Sequence, residues 1–172
     1  MGKNVIIEPV SGDLFRALMR KIASSVAVIT TCHDGHLHGM TATAVSSVSA
    51  DPPAILIVVN RSARSHALIS ASKAFNVNIL SAHQSELSGR FASKQDDSFD
   101  GVAYSFGGNG APILDGAVAS IECRTALETD FGTHTIFIGH VVGGSICAGD
   151  PLIYQDGSYR SSSPRTAERE IA

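Results

Sequence analysis

From Val26 onward the chain exchanges a helical hydrophobic period for a period of two, and hairpin turns punctuate it as far as Tyr159. Val26-Ala-Val-Ile-Thr-Thr-Cys32 is rich in β-branched residues and reads as a strand. Asp34-Gly35 follows as a hairpin turn, because both residues tolerate positive φ. His38 to Ser49 returns as a second strand, and Asp51-Pro-Pro53 breaks it, since proline cannot donate to a ladder. Ala54 to Asn60 is a continuous apolar run, as in a central strand. Phe75-Asn-Val-Asn-Ile-Leu80 alternates, with Phe75, Val77 and Ile79 on one face and Asn76 and Asn78 on the other. Strands are expected again over Ala117–Thr129 and Thr135–Val142, and Asp156-Gly157 joins Leu152–Tyr154 to Tyr159 in a last hairpin. Helices are few. One is expected over Asp13–Ser24, with Asp13 as its N-cap, and short ones over Ser65–Ser72 and Ser85–Ala92. Ser98 to Pro112 reads as loop. Mainly β structure with so few helices suggests a closed antiparallel barrel carrying its helices outside. A doubly wound parallel sheet is disfavoured, because helices do not alternate regularly with strands.

The 172 residues suit one domain, expected over 1–160, with a flexible polar tail over 161–172. Charged residues are 17%, which leaves a weakly charged surface of Ser, Ala and Gly that another subunit could cover. The net charge of −3 argues against a nucleic-acid partner, which needs clustered Lys and Arg. No stretch reaches the ~18 apolar residues of a membrane span, so no membrane partner is expected. The first ten residues are too short, and at Glu8 too acidic, for a signal peptide. Cys32, Cys123 and Cys147 are odd in number and contain no CxxC, which favours a reducing cytoplasm and three small buried hydrophobes.

Phosphate-loop, dinucleotide, nucleophile-elbow and HExxH motifs are absent. Gly107-Gly-Asn-Gly110 lacks a following helix and reads as a surface loop. Cys32-His33-Asp34-Gly35-His36-Leu37-His38 gathers side chains of metal-binding type around one turn, but a hairpin splays alternate side chains to opposite faces. A solvated turn is therefore expected, and no metal. His134, after Gly132-Thr133, opens a strand and on its own reads as structural.

Two segments carry more. Gly39-Met-Thr-Ala-Thr-Ala-Val-Ser-Ser-Val-Ser49 alternates small residues with hydroxyls. It reads either as an inner barrel strand with tapered packing or as a strand over which a flat polar ring is laid. Asn60-Arg61-Ser62-Ala63-Arg64-Ser65 leaves the central strand with two guanidiniums, two hydroxyls and a helix N-terminus ahead. That set suits a phosphate, and a polar surface turn has the same composition.

Taken in order with Phe15-Arg16, Val26–Thr31, Asp51-Pro-Pro53, Phe75–Leu80, Arg90-Phe91, Gly132-Thr-His134 and Leu152–Tyr159, these segments resemble the flavin reductase domain family, the FMN-binding split barrel. The resemblance implies an antiparallel split β-barrel and an NAD(P)H:flavin oxidoreductase, with hydride passing from NADH or NADPH to FMN or FAD. It implies that Thr41, Thr43, Ala44, Ser46 and Ser47 lie along the flavin ring and ribityl chain, and that Asn60, Ser62, Arg64 and Ser65, beside Arg61, hold the phosphate. Asn78, Arg90 and Phe91 are expected to close the flavin site. His134, with Tyr154 and Tyr159, is expected to face the nicotinamide. Ala44-Val45 departs from the Ser-Phe often seen there, which puts one ring contact in doubt. The resemblance further implies a homodimer that supplies reduced flavin to a partner flavin-dependent monooxygenase. A flavin carrier without turnover, or a split-barrel reductase for a corrinoid or ferric chelate, remain the alternatives.

Overall fold

The computed structural model describes residues 8–93 and 99–162. In chain order its elements are α1 (Gly12–Met19), β1 (Ser24–Ser25), β2 (Ala27–His33), β3 (His36–Ala42), β4 (Val45–Ala50), β5 (Pro53–Asn60), α2 (Arg64–Ser72), β6 (Ala74–Ile79), α3 (Ser85–Ala92), β7 (Tyr104–Phe106), β8 (Pro112–Leu114), β9 (Ala119–Phe131), β10 (His134–Ile146), β11 (Ile153–Gln155) and β12 (Ser158–Arg160). The tail expected from residue 161 lies outside the described residues from 163 on.

Seven strands pair antiparallel in the order β3-β2-β6-β9-β10-β5-β4. β3 and β4 therefore lie at opposite edges, yet Thr43 and Ala44 are all that separates them along the chain. The twisted sheet must coil until its two edges meet at that link. Among the described residues those edges form no ladder with each other, so the sheet is a split barrel and not the closed barrel that strand counting suggests. The single strand expected over His38–Ser49 is for the same reason two strands, each ladder ending at the link.

Two apolar clusters flank β2. Ala27 and Ile29 point into the barrel with Ile57, Val59, Phe75, Val77, Phe137 and Ile69 of α2. Val26 and Val28 point outward, under Leu80, Phe91, Leu114 and Leu152. β2 and β6 are thus buried on both faces, and the alternation in β6 does not mean one wet face. Asn76 and Asn78 are both fully buried. The Asn78 amide donates to Val28 O and Thr30 Oγ1 and accepts from Leu114 N and Ser120 Oγ.

Other expectations shift. Ser11, not Asp13, caps α1, with its Oγ accepting from Leu14 N at 3.2 Å, and the helix ends at Met19. Part of the expected loop 98–112 is β7, paired with β8. The Gly107–Gly110 turn is anchored, because the Asn109 amide donates to Phe75 O, Cys123 O and Asn76 Oδ1. Cys123 is buried, Cys32 half-buried and Cys147 exposed, so one cysteine of the three is a core residue. Burial, with Glu122 beside it, pushes the Cys123 thiol up to about 12.

Candidate active site

β3, the Thr43–Ala44 link and β4 form one wall of a groove in three stretches. Thr41 lines both of the first two and Thr43 both of the last two, so the three stretches adjoin along this wall.

The first stretch, about 520 Å³, is polar and lies between His38–Thr41, Asn60, Ser62–Ser65 and Phe91–Ser93. Its shape begins with Asn60 at the end of β5. The Asn60 Oδ1 accepts from Ser62 N at 2.9 Å and from Ser62 Oγ at 2.8 Å, closing a turn that starts α2 at Arg64. Ala63 occupies the N-cap and offers no side-chain acceptor, so the positive end of the helix carries no side-chain cap. Ser65 is buried, its hydroxyl directed to Met40 Sδ at 2.9 Å. His38 is half-buried, and burial, aided by the Arg64 charge, holds its imidazole below the usual 6.5. A guanidinium, hydroxyls and an uncapped helix terminus form a donor set that fits a phosphoryl group.

The second stretch, about 210 Å³, is smaller and aromatic. The Tyr154 and Tyr159 rings meet edge-on with centroids 5.6 Å apart. The Tyr159 hydroxyl donates to Ser88 Oγ at 2.9 Å, and the Thr41 hydroxyl to Ser88 O at 2.7 Å, so α3 is tied to this wall. The third stretch, about 570 Å³, runs from Thr43 to Ser46 beside Val45, Leu56, Val58 and the α1 residues Phe15 and Met19, and it is mainly apolar. Polar donors at one end and a flat-walled apolar trough at the other match a ligand with a phosphate tail and a planar body.

The structure brings Thr41, Thr43, Ala44, Ser46, Asn60, Ser62, Arg64, Ser65, Phe91, Tyr154 and Tyr159 to this groove. It does not bring five others. Ser47, opposite Ile55, lies past the groove's end. Asn78 is held in the core by its four bonds, because its strand is covered on both faces. Arg90 is on another side of α3, in a separate cleft with His83 and Glu86, and donates to Asp100 O. Arg61 turns away from the groove and pairs with Asp130 at 3.1 Å. The Asp130 carboxyl is held below the usual carboxylate range by the Thr135 hydroxyl and then by Arg61. His134 starts β10 directly opposite Asn60, its Nδ1 2.9 Å from Thr133 Oγ1, outside the three stretches.

The sequence placed His38 in a solvated turn and Gly39 at the head of the small-and-hydroxyl strand, and Ser88 drew no notice there. Gly39 and Phe91 fit each other, since a Cβ on Gly39 would stand 2.5 Å from Phe91 Cε1. The signal for His38 was its period: it lies two residues before Met40 and so shares that residue's face of β3. Among the described residues no three His, Cys, Asp or Glu side chains converge as a metal site requires.

The family described as flavin reductase like domain matches residues 19–163. The reductase component of an FADH(2)-dependent resorcinol hydroxylase from Rhizobium sp. is 38% identical over 158 residues, covering 89% of this chain and 88% of that protein. A flavin reductase (NADH) from Kitasatospora aureofaciens is 37% identical over 172 residues, covering 95% of this chain and 90% of that protein. Among solved structures, the NADH:FAD oxidoreductase SgcE6 of Streptomyces globisporus superposes with a TM-score of 0.86 at 32% identity, covering 98% of this chain and 97% of that one.

Proposed function

The chain belongs to the flavin reductase like family, and on that premise we propose that it is an NAD(P)H-dependent flavin reductase acting on FMN or FAD. The observation that carries this reading is the row of adjoining stretches, polar at Ser62–Ser65 and apolar beyond Thr43. The residues present fit a flavin nucleotide, with the phosphate among Arg64, Ser62, Ser65 and the start of α2, and the ring along Thr41–Ser46. Bound flavin supplies the ring that accepts hydride from the nicotinamide. The protein's part is orientation and exclusion of water. Thr41 and the small residues after it let a planar group approach the backbone. Tyr154 and Tyr159 wall the trough in which a nicotinamide can lie against that group. No acid–base pair is needed, and none lines the middle stretch.

His134 is the residue we assign to the nicotinamide. It stands outside the three stretches, at the end of the β5–β10 ladder opposite Asn60, and what supports the assignment is the resemblance to flavin reductases. Arg61 acts on the phosphate end indirectly, by fixing the turn against Asp130.

The partners follow from the surface and from the relatives. Leu14, Phe15, Leu18, Met19 and Ile22 around α1 are all exposed, and Phe131 and Ile146 are 81% and 89% exposed. So much apolar surface supports a homodimer. The resorcinol hydroxylase relative is named as a reductase component, which supports a partner monooxygenase that receives reduced flavin. Free cysteines support a cytoplasmic location, and no described helix is long and apolar enough to cross a membrane.

Fluorescence titrations with FMN and with riboflavin, which lacks the phosphate, test the placement. Arg64→Ala is expected to weaken FMN binding by about 10- to 100-fold, as loss of a charge-assisted hydrogen bond does, and to leave riboflavin unchanged. Equal loss for both ligands, or none for FMN, would place the phosphate elsewhere.

A further inference from the structure

We propose that Asp130 is a positioning residue for the flavin phosphate: from outside the groove its carboxylate holds both flanks of the Ser62–Ser65 seat, Arg61 directly and His66 through the Thr135 hydroxyl. The proposal rests on the reading of the polar stretch as that seat.

The strand register brings the parts together. Thr135 and Phe137 are buried, inward positions of β10, and Asp130 stands directly opposite Thr135 on β9. Cross-strand partners share a face, so Asp130 lies at the same rim of the barrel, where α2 packs. The Thr135 hydroxyl donates to Asp130 Oδ1 at 2.5 Å. A hydroxyl has one hydrogen, and this one is committed to a carboxylate. Thr135 Oγ1 therefore accepts from His66 Nε2, which lies 2.8 Å away. The His66 ring, in the first turn of α2, is also set edge-on against Phe137, with centroids 5.5 Å apart. The other oxygen of Asp130, Oδ2, accepts from Arg61 Nη1 at 3.1 Å. Arg61 precedes the seat by one residue and His66 follows it by one, so one carboxylate pins the chain on either side of Ser62–Ser65.

The backbone does only part of this. Arg61 N donates to Thr133 O and fixes where the chain leaves β5. Ala63, at the N-cap, contributes no side-chain bond to hold the start of α2. The far end of the helix has its own strap. Glu128, opposite Phe137 on the same face of β9, accepts from Ser70 Oγ at 3.1 Å and from Lys73 Nζ at 2.5 Å. Both carboxylates dock α2, and of these two Asp130 is the one that reaches the seat.

The sign of the effect separates positioning from charge. An Arg61–Asp130 pair this exposed is worth little by itself. Through space a carboxylate opposes a phosphate, so removing it without moving the seat would leave FMN binding unchanged or tighten it. Weaker FMN binding requires donors that have lost their preorganised places.

Fluorescence titrations with FMN and with riboflavin, at constant pH and salt, test this. Asp130→Ala is expected to weaken FMN binding about three- to tenfold, the size of one or two net hydrogen bonds, and to leave riboflavin unchanged. Thr135→Val keeps the volume and cuts only the His66 arm, so it should give a smaller loss of the same kind. Thr135→Ser keeps the hydroxyl and should give none. Glu128→Ala should lower stability in urea and leave both affinities unchanged. Should Asp130→Ala not fold, the two Thr135 variants decide: FMN loss in Val and not in Ser upholds the proposal, and equal affinities overturn it. FMN binding that is unchanged or tighter in folded Asp130→Ala, or equally weakened in Glu128→Ala, also overturns it. If Arg64→Ala weakens FMN alone while Asp130→Ala does not, the seat stands and the role of Asp130 is wrong. If Arg64→Ala leaves both ligands unchanged, the seat itself is misplaced and the inference falls with it.

Discussion

A side chain's chemistry in this protein is decided by which face of its strand is covered. Asn78 and Thr41 are both polar residues on strands. Thr41 faces the groove, while Asn78 satisfies a core in which four groups depend on it. Asn78→Ala should therefore destabilise the fold by roughly 3 kcal/mol or more, because removing one partner leaves the others buried and unpaired. Urea unfolding measures this, and flavin affinity of the folded fraction should stay unchanged. His134→Ala should do the opposite, lowering kcat/KM for NADH or NADPH by roughly 10- to 100-fold with flavin affinity and melting temperature little altered. Early unfolding, or joint loss of flavin and activity, would remove His134 from the nicotinamide site. His38 adds a pH dependence to stability. Its imidazole is held below the usual 6.5, by burial first and Arg64 second, so the unfolded chain binds the proton more readily. Stability of the flavin-free protein should thus fall as pH drops below 6.5, and less steeply in His38→Gln. Polar residues of the groove were legible where they cluster on one strand or turn, as in Thr41–Ser46 and Asn60–Ser65. Asn78, Arg90 and Arg61 misled because residue type does not reveal whether a strand's second face is covered or which way a guanidinium turns.

Among the elements, the link between β3 and β4 has the largest consequence. It makes neighbours in sequence into opposite sheet edges and leaves the groove along the seam. Period-two patterning marked the strands themselves, and Asp34-Gly35 marked the first hairpin, where both residues have positive φ. The break at Thr43–Ala44 was not legible, because alternation of small and hydroxyl residues runs through it without a proline or glycine. Nor was the face on which α3 docks. That docking depends on Gly39, which admits the Phe91 ring where any Cβ would stand 2.5 Å from it. Gly39→Ala should therefore cost about 1–3 kcal/mol through overpacking and shift α3 at the polar stretch. Urea unfolding with an FMN titration reads both effects, and full stability with full FMN affinity would show that α3 docks without this contact.

For the whole molecule, mainly β class, antiparallel pairing and the helix count were legible from composition and turns. Barrel closure was not, because the number of strands does not say whether the last edge finds the first. The exposed apolar residues around α1 and at Phe131 and Ile146 give the molecule surface that a second copy would cover. Sedimentation velocity at micromolar concentration with flavin present should give twice the chain mass, and a monomer under those conditions would contradict the dimer. Chelators should leave activity intact, since the His33–His38 turn holds no convergent set of ligands. The reaction proposed for this groove is transfer of hydride from a reduced nicotinamide to flavin. Absorbance of NADH or NADPH, followed with purified protein before and after adding excess FMN or FAD, measures it directly. Fast oxidation should begin when flavin is added and fall in Arg64→Ala with FMN. Tight flavin binding without oxidation of either nicotinamide would contradict it and leave a flavin carrier.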